Sequence, residues 1–239
     1  MNEPTPSPSD AQAAVYETRA VEYDALISAE DVDRALPRLL DRLVTFDGAT
    51  VADIGAGTGR FARLLAPRAR HVHLIDRAGP MLDVARARLA EDGLTNVSLF
   101  VADARALPLP DASVDLAVAG WVFGHFPHWM PDDWRTEVAE ALVEMRRITK
   151  PGGAVLVVET LGTGHETPRK HEKLDPYFDW LIEEQRFEQT VLRTDYGFPD
   201  VETAARICGS FFGDALASTI RARSWARVPE CTSVFFTRV

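Results

Sequence analysis

Apolar residues first recur with helical spacing, over Ala11 to Ile27 and again over Asp31 to Leu43, with few breakers between them. That pattern predicts two leading helices. The spacing then changes. Thr50-Ile54, His71-Asp76, Val97-Val101, Val114-Ala119 and Ala154-Thr160 are short aliphatic runs, rich in β-branched residues, and stretches of helical spacing separate them. Strands and helices that alternate in this way predict an α/β fold with a parallel sheet covered on both faces. Pro80 suits the first turn of a helix running to Ala90, and Gly93 suits its left-handed end. Lys150-Pro151-Gly152-Gly153 stops a long helix that begins near Asp132 and turns the chain into the fifth strand. Beyond it, Leu161 to Lys173 is polar and glycine-bearing. A helix is predicted near Pro176 to Arg186, a sixth strand over Gln189-Thr194, a helix over Val201 to Phe212 and a last strand over Thr232-Val239.

Composition narrows the possibilities. With 46% hydrophobic residues, 239 residues bury one good core, so a single domain is expected over 11–239 behind a disordered tail at 1–10. A formal net charge of -10 excludes a general field for nucleic acid. No apolar run approaches the roughly 20 residues that span a bilayer, and MNEPTPSPSD has neither a basic start nor an apolar core, so no membrane contact is expected. Cys208 and Cys231 form no metal-like cluster; no metal is expected, and two thiols in so long a chain suggest a reducing, cytoplasmic setting.

The chemistry concentrates in VADIGAGTGR, Val51 to Arg60. A buried strand runs into Gly55, Gly57 and Gly59, which let the backbone turn tightly and approach a ligand before a helix starts at Arg60-Phe61. The next strand closes on Asp76, placed to accept from a ribose diol. A dinucleotide site needs GxGxxG, and here Arg60 stands where the third glycine belongs, which weakens an NAD-dependent oxidoreductase. Asp53, just before the glycines, suits a ligand with a cationic end.

Taken together, VADIGAGTG, HLIDRAGPML, VADARALPLPDASVDLAVAGWVFGHF and KPGGAVLVVET stand in the order of the motifs of the class I S-adenosylmethionine-dependent methyltransferases. The chain resembles most closely their type 11 small-molecule group, over roughly residues 50 to 160. The resemblance implies a Rossmann-like seven-stranded, mostly parallel sheet with helices on both faces and an antiparallel last strand inserted between strands five and six. It implies S-adenosylmethionine as methyl donor, S-adenosylhomocysteine as product and a small-molecule acceptor, in a monomer or homodimer. The leading helices, 11–45, and a variable segment around 161–230 would cover the substrate. A binding or regulatory protein that holds the donor without turnover is the alternative of another class, because binding and catalysis use different residues.

On that reading Asp53 and the backbone of Gly55, Ala56, Gly57 and Gly59 hold the methionine part of the donor. Asp76 holds the ribose, Arg77 and Met81 pack near the adenine, Asp103 accepts from its amino group and Ala104 offers a backbone N–H. Trp121 would wall the pocket and face the sulfonium with its ring. His125 corresponds to a histidine frequent in the group, and two readings stand side by side for it, a general base or a cap of the adjacent loop. Tyr16, Arg19 and Tyr23 share a helix face that resembles the family's lid. Glu159, His165 and His171 stand within reach of a substrate from the fifth strand and the loop after it, and for His165 and His171 solvent exposure in a polar loop is the stronger reading. Asp111 and Asp115 read as structural.

Overall fold

All five residues of β1 (Thr50–Ile54) are buried, and in the computed structural model, which describes residues 20–239, this strand lies at the centre of a seven-stranded sheet. On one side it pairs in parallel with β2 (His71–Asp76), which pairs with β3 (Val97–Val101); on the other it pairs with β4 (Val114–Gly120), then β5 (Thr149–Thr163). β6 (Glu188–Arg193) lies at the far edge, and β9 (Glu230–Arg238) runs antiparallel between β5 and β6. The order is β3-β2-β1-β4-β5-β9-β6, with the last strand inserted and reversed as expected. The remaining strands, β7 (Tyr196–Gly197) and β8 (Arg227–Val228), form a separate two-stranded ribbon.

Period-two alternation assigns each strand residue to a face. Val51, Leu116, Val118, Leu156 and Val158 pack on one side, against α2 (Ala35–Leu43), α3 (Arg60–Leu65) and α4 (Gly79–Glu91). Ala52, Ile54, Ala117, Ala119 and Val157 pack on the other, against α6 (Trp134–Ile148) and α7 (Asp175–Glu183). Two buried clusters thus sandwich the sheet. α5 (Phe126–Trp129) is a single turn beyond a 3-10 turn at Phe123–His125. α1, described over Ala20–Ser28, places Leu26 in a third, smaller cluster with α8 (Val201–Phe212) and α9 (Asp214–Arg223).

Several boundaries differ from the sequence pattern for local reasons. Lys150 to Gly153 stand opposite the single residue Asp115, because the register runs from Val114 with Thr149 to Leu116 with Ala154. The proline-glycine turn is therefore a bulge within β5. Asp115 ties it down: one carboxylate oxygen accepts from Lys150 Nζ at 2.6 Å and the other from the Thr50 N–H at 2.8 Å. Asp111 accepts from Arg147 at 2.7 Å, so both aspartates are structural. The span 161–230, expected to cover the site, divides. Tyr177 and Leu181 of α7 are core residues of the sheet's second face, and β6 is a sheet strand. Only part of the span faces open space at the strand ends.

Candidate functional site

The sheet order reverses between β1 and β4, and ligands in open α/β sheets bind at such a point, outside the carboxyl ends of the strands. The turn that leaves β1 is held by the neighbouring strand: the Gly55 and Ala56 N–H groups both donate to the Ile75 carbonyl, at 2.8 and 3.1 Å. Gly55 has φ +66°, and a Cβ there would stand 2.3 Å from Val122 Cγ2. Gly57 has φ +54° and borders a cavity in which a Cβ would reach only Met81 Cε, at 3.5 Å. Its N–H donates to Asp76 Oδ2 at 2.8 Å, while Asp76 Oδ1 accepts from the Ala78 N–H at 2.8 Å. A carboxylate accepts roughly four hydrogen bonds, so about two sites remain on Asp76. Burial raises its pKa above the ordinary carboxylate value, against the two N–H donors.

Gly55, Gly57, Asp76, Arg77, Met81, Asp103, Ala104, Trp121, His125 and Tyr23 all line this one cavity of about 220 Å³. Arg105 also lines it and grips Asp103 through Nε (2.8 Å), Nη2 (2.7 Å) and its own N–H (2.9 Å). That grip holds the Asp103 carboxyl below its usual range. His125 stacks flat on Trp129, with ring centroids 4.9 Å apart and planes 7° from parallel. Burial first, then the charges of His128 and Arg77, lowers its pKa to about 4.

Trp121 occupies the left-handed region at φ +57°, where a bulky residue is strained, and its N–H donates to the Val158 carbonyl at 2.6 Å. Its ring packs beside Phe61 at 5.9 Å and under the Arg60 guanidinium, whose Cζ lies 3.8 Å from the ring centroid. Arg60 in turn pairs with Glu30 at 2.7 Å. Trp121 and His125 also border a second cavity, of about 440 Å³, on the side of β5. Glu159 sits in its wall, 3% exposed, where one oxygen accepts from the Gly124 N–H (2.8 Å) and the Tyr177 hydroxyl (3.2 Å). Burial pushes its pKa up to about 8.

Residues 52–157 match the type 11 model of the methyltransferase domain family. Over that stretch the chain carries the fold and motif order of a class I methyltransferase domain. A malonyl-[acyl-carrier protein] O-methyltransferase of Serratia marcescens is 34% identical over 155 residues, 64% of this chain and 54% of that protein. A ubiquinone/menaquinone biosynthesis C-methyltransferase of Bordetella avium is 33% identical over 174 residues, 70% of this chain and 61% of that protein. The chain thus spans between half and two thirds of the length of these curated relatives. A solved S-adenosylmethionine-dependent methyltransferase from Aquifex aeolicus superposes with a TM-score of 0.60 at 18% identity, covering 93% of this chain and 98% of that one, which shows the shared fold.

Within this methyltransferase fold, three of the expected cofactor contacts stand outside the cavity wall. Asp53 points beneath α3, where its Oδ2 accepts from the Ala62 N–H at 3.2 Å, and burial lifts its pKa to about 8. It caps a helix start from below. Gly59, at φ +87°, lets α3 pass α4, since a Cβ there would lie 3.2 Å from the Ala85 Cβ. The Ala56 carbonyl accepts from the Gly59 N–H and so closes the turn. Tyr16 and Arg19 lie outside the described residues. Arg105, Trp129 and Met130 line the cavity without having been singled out from the sequence. The aromatic run FPHWM carried the available signal for the last two. Among the described residues no helix is long and apolar enough to cross a membrane, and no cluster of three His, Cys, Asp or Glu is placed to hold a metal.

Proposed function

We propose that the protein transfers a methyl group from S-adenosylmethionine to a small-molecule acceptor, with the donor in the cavity at the β1–β4 strand ends and the acceptor in the neighbouring one. The observation that carries this reading is that the two cavities share Trp121 and His125 as a common wall. The donor supplies an electrophilic carbon on a sulfonium; as the acceptor's lone pair bonds to it, the carbon–sulfur bond breaks and its electron pair stays on sulfur.

The chain's own part is to bind and orient. Asp76 offers its remaining acceptor sites to the ribose diol, and the turn at Gly55 and Gly57 lets backbone approach the methionine portion. Met81 and Arg77 flank the adenine. Asp103 and Ala104 are read as its edge contacts, with Arg105 fixing the aspartate. Asp53, Ala56 and Gly59 act at one remove by setting where the turn and α3 lie. Trp121 separates the two cavities and faces the cationic centre. His125, neutral at pH 7 with a pKa of about 4, is a weak base there, and we read it as a wall that positions the acceptor. Glu159, with a pKa of about 8, presents an O–H to the second cavity below that pH. With a net charge of -10, the chain is read as acting on a small molecule in the cytoplasm, without nucleic acid.

Thermal shift and acceptor screening test the proposal. S-adenosylhomocysteine at 100 times its Kd should add about 2.7 kcal/mol of stability, and NAD none. Stabilisation by NAD alone would overturn donor binding; donor binding without S-adenosylhomocysteine production across an acceptor library would favour a non-catalytic role.

A further inference from the structure

The second cavity has a charge pattern unlike the rest of the molecule. The chain carries 36 acidic residues against 26 Lys and Arg, and many of its arginines are tied to carboxylates, as Arg60, Arg68, Arg88, Arg105, Arg147 and Arg227 are. Arg169 and Lys170 make no ion pair among the described residues, and both line this cavity with His128, His165 and His171. The Arg169 stem is fixed: its N–H donates to the Leu161 carbonyl at 2.8 Å, and its Cβ and Cγ lie against Gly162. His128 and His171 meet edge to face with centroids 5.3 Å apart.

The acidic side chain in the wall is Glu159, buried and held largely protonated at neutral pH by its pKa of about 8. Glu166 and Glu172, on the same segment, do not line the cavity, and the Asp175 carboxylate is engaged by the His171 N–H at 3.0 Å. The remainder of the wall is mostly apolar, with Trp121, Leu161, Leu174, Phe178 and Phe212, and includes Thr160, Thr163 and His125. Basic groups thus gather in a chamber with largely apolar walls, which shares Trp121 and His125 with the donor cavity.

We propose that the methyl acceptor is a small molecule with an apolar body and an anionic end, a carboxylate or a phosphate, gripped by Arg169 and Lys170 with the histidines around them. The inference rests on the methyl-transfer reading for the word acceptor, while the anion site itself rests on the cavity wall alone. Burial and the neighbouring positive charges, Arg169 for His165 and His171 with Lys173 for His128, lower both histidine pKa values. An incoming anion reverses that effect and draws protons onto them. The apolar body would run toward Trp121 and place its nucleophile beside the shared wall.

The experiment titrates the full chain, saturated with S-adenosylhomocysteine, with three probes of one shape: benzoate, phenyl phosphate and neutral benzamide. At least one anion should bind about tenfold or more tightly than benzamide, a preference that charge-assisted hydrogen bonds readily supply. The Arg169→Ala/Lys170→Ala variant, altered only at exposed positions, should lose that preference while binding S-adenosylhomocysteine as before. Which anion binds tighter separates carboxylate from phosphate. Equal binding of all three probes, or a preference that survives in the double variant, overturns the proposal. If S-adenosylhomocysteine fails to bind while the anion preference follows Arg169 and Lys170, the anion site stands and the methyl-transfer reading falls.

Discussion

Replacing Asp76 by alanine separates the two jobs that this residue holds at once. Its carboxylate receives the Gly57 and Ala78 N–H groups, each at 2.8 Å, and the proposed ribose contacts use what acceptor capacity remains. Both N–H groups lie at the cavity wall, where water can replace the lost partner, so the cost to the fold is about 1–3 kcal/mol. For a chain of this length that lowers Tm by several degrees at about 2–4 °C per kcal/mol. The ligand loses two hydrogen bonds to a charged acceptor, each worth about 1.5–3 kcal/mol. Even at the lower figure the sum is about 3 kcal/mol, more than a hundredfold in Kd. Calorimetric titration of S-adenosylhomocysteine into wild type and variant, below the melting range of both, reads the difference. The Asp76→Asn variant, with one acceptor oxygen kept, should fall between them. A folded Asp76→Ala protein that binds S-adenosylhomocysteine within about threefold of wild type would remove the ribose role.

The glycine turn should divide by position. Gly55→Ala, with φ +66° and Val122 Cγ2 at 2.3 Å, should cost about 1–3 kcal/mol of stability; Gly57→Ala, where the nearest atom is 3.5 Å away, should lose more ligand affinity than stability. Denaturant unfolding and ligand titration of the pair check this, and the reverse order contradicts it. Glu159, with its pKa raised to about 8, stabilises the fold fully below the ordinary carboxylate range and loses that contribution as pH rises through about 8. Between pH 6 and 8 the loss approaches about 2.7 kcal/mol. Glu159→Gln should therefore flatten the fall in stability over that window, leaving the part due to Asp53 and Glu230, which burial shifts the same way. An unchanged slope in unfolding at pH 6 and pH 8 would contradict the buried neutral carboxyl. Trp121→Ala and His125→Ala should cut methyl transfer about tenfold or more while S-adenosylhomocysteine affinity stays within a few fold. A collapse of affinity in either would place them in donor binding instead.

The central strands were legible because they are short aliphatic runs rich in β-branched residues, and because burial of both faces permits no other use of them. Asp53 shows where proximity in sequence misleads. It stands two residues before Gly55, yet strand periodicity puts it on the same face as Val51, toward α2 to α4, so it points beneath α3 and away from the strand ends. β7 and β8 were not readable, since two-residue strands carry no period. The side proposed for the acceptor is illegible for another reason. Its wall is assembled from residues between Trp121 and His128, from the last five residues of β5, Glu159 to Thr163, from the loop bearing His165 to Leu174, and from Phe178 and Phe212. No spacing within any one of these segments reports the others. His165 and Arg169 read as polar loop residues until the backbone bond from Arg169 to Leu161 folds that loop over the end of β5 and turns their side chains toward a common space. Donor sites of this fold lie on consecutive strand ends and leave a motif. An acceptor site built by loops that meet only in three dimensions leaves a composition, here four histidines, an arginine and a lysine around aromatic walls, whose meaning depends on the cavity that gathers them.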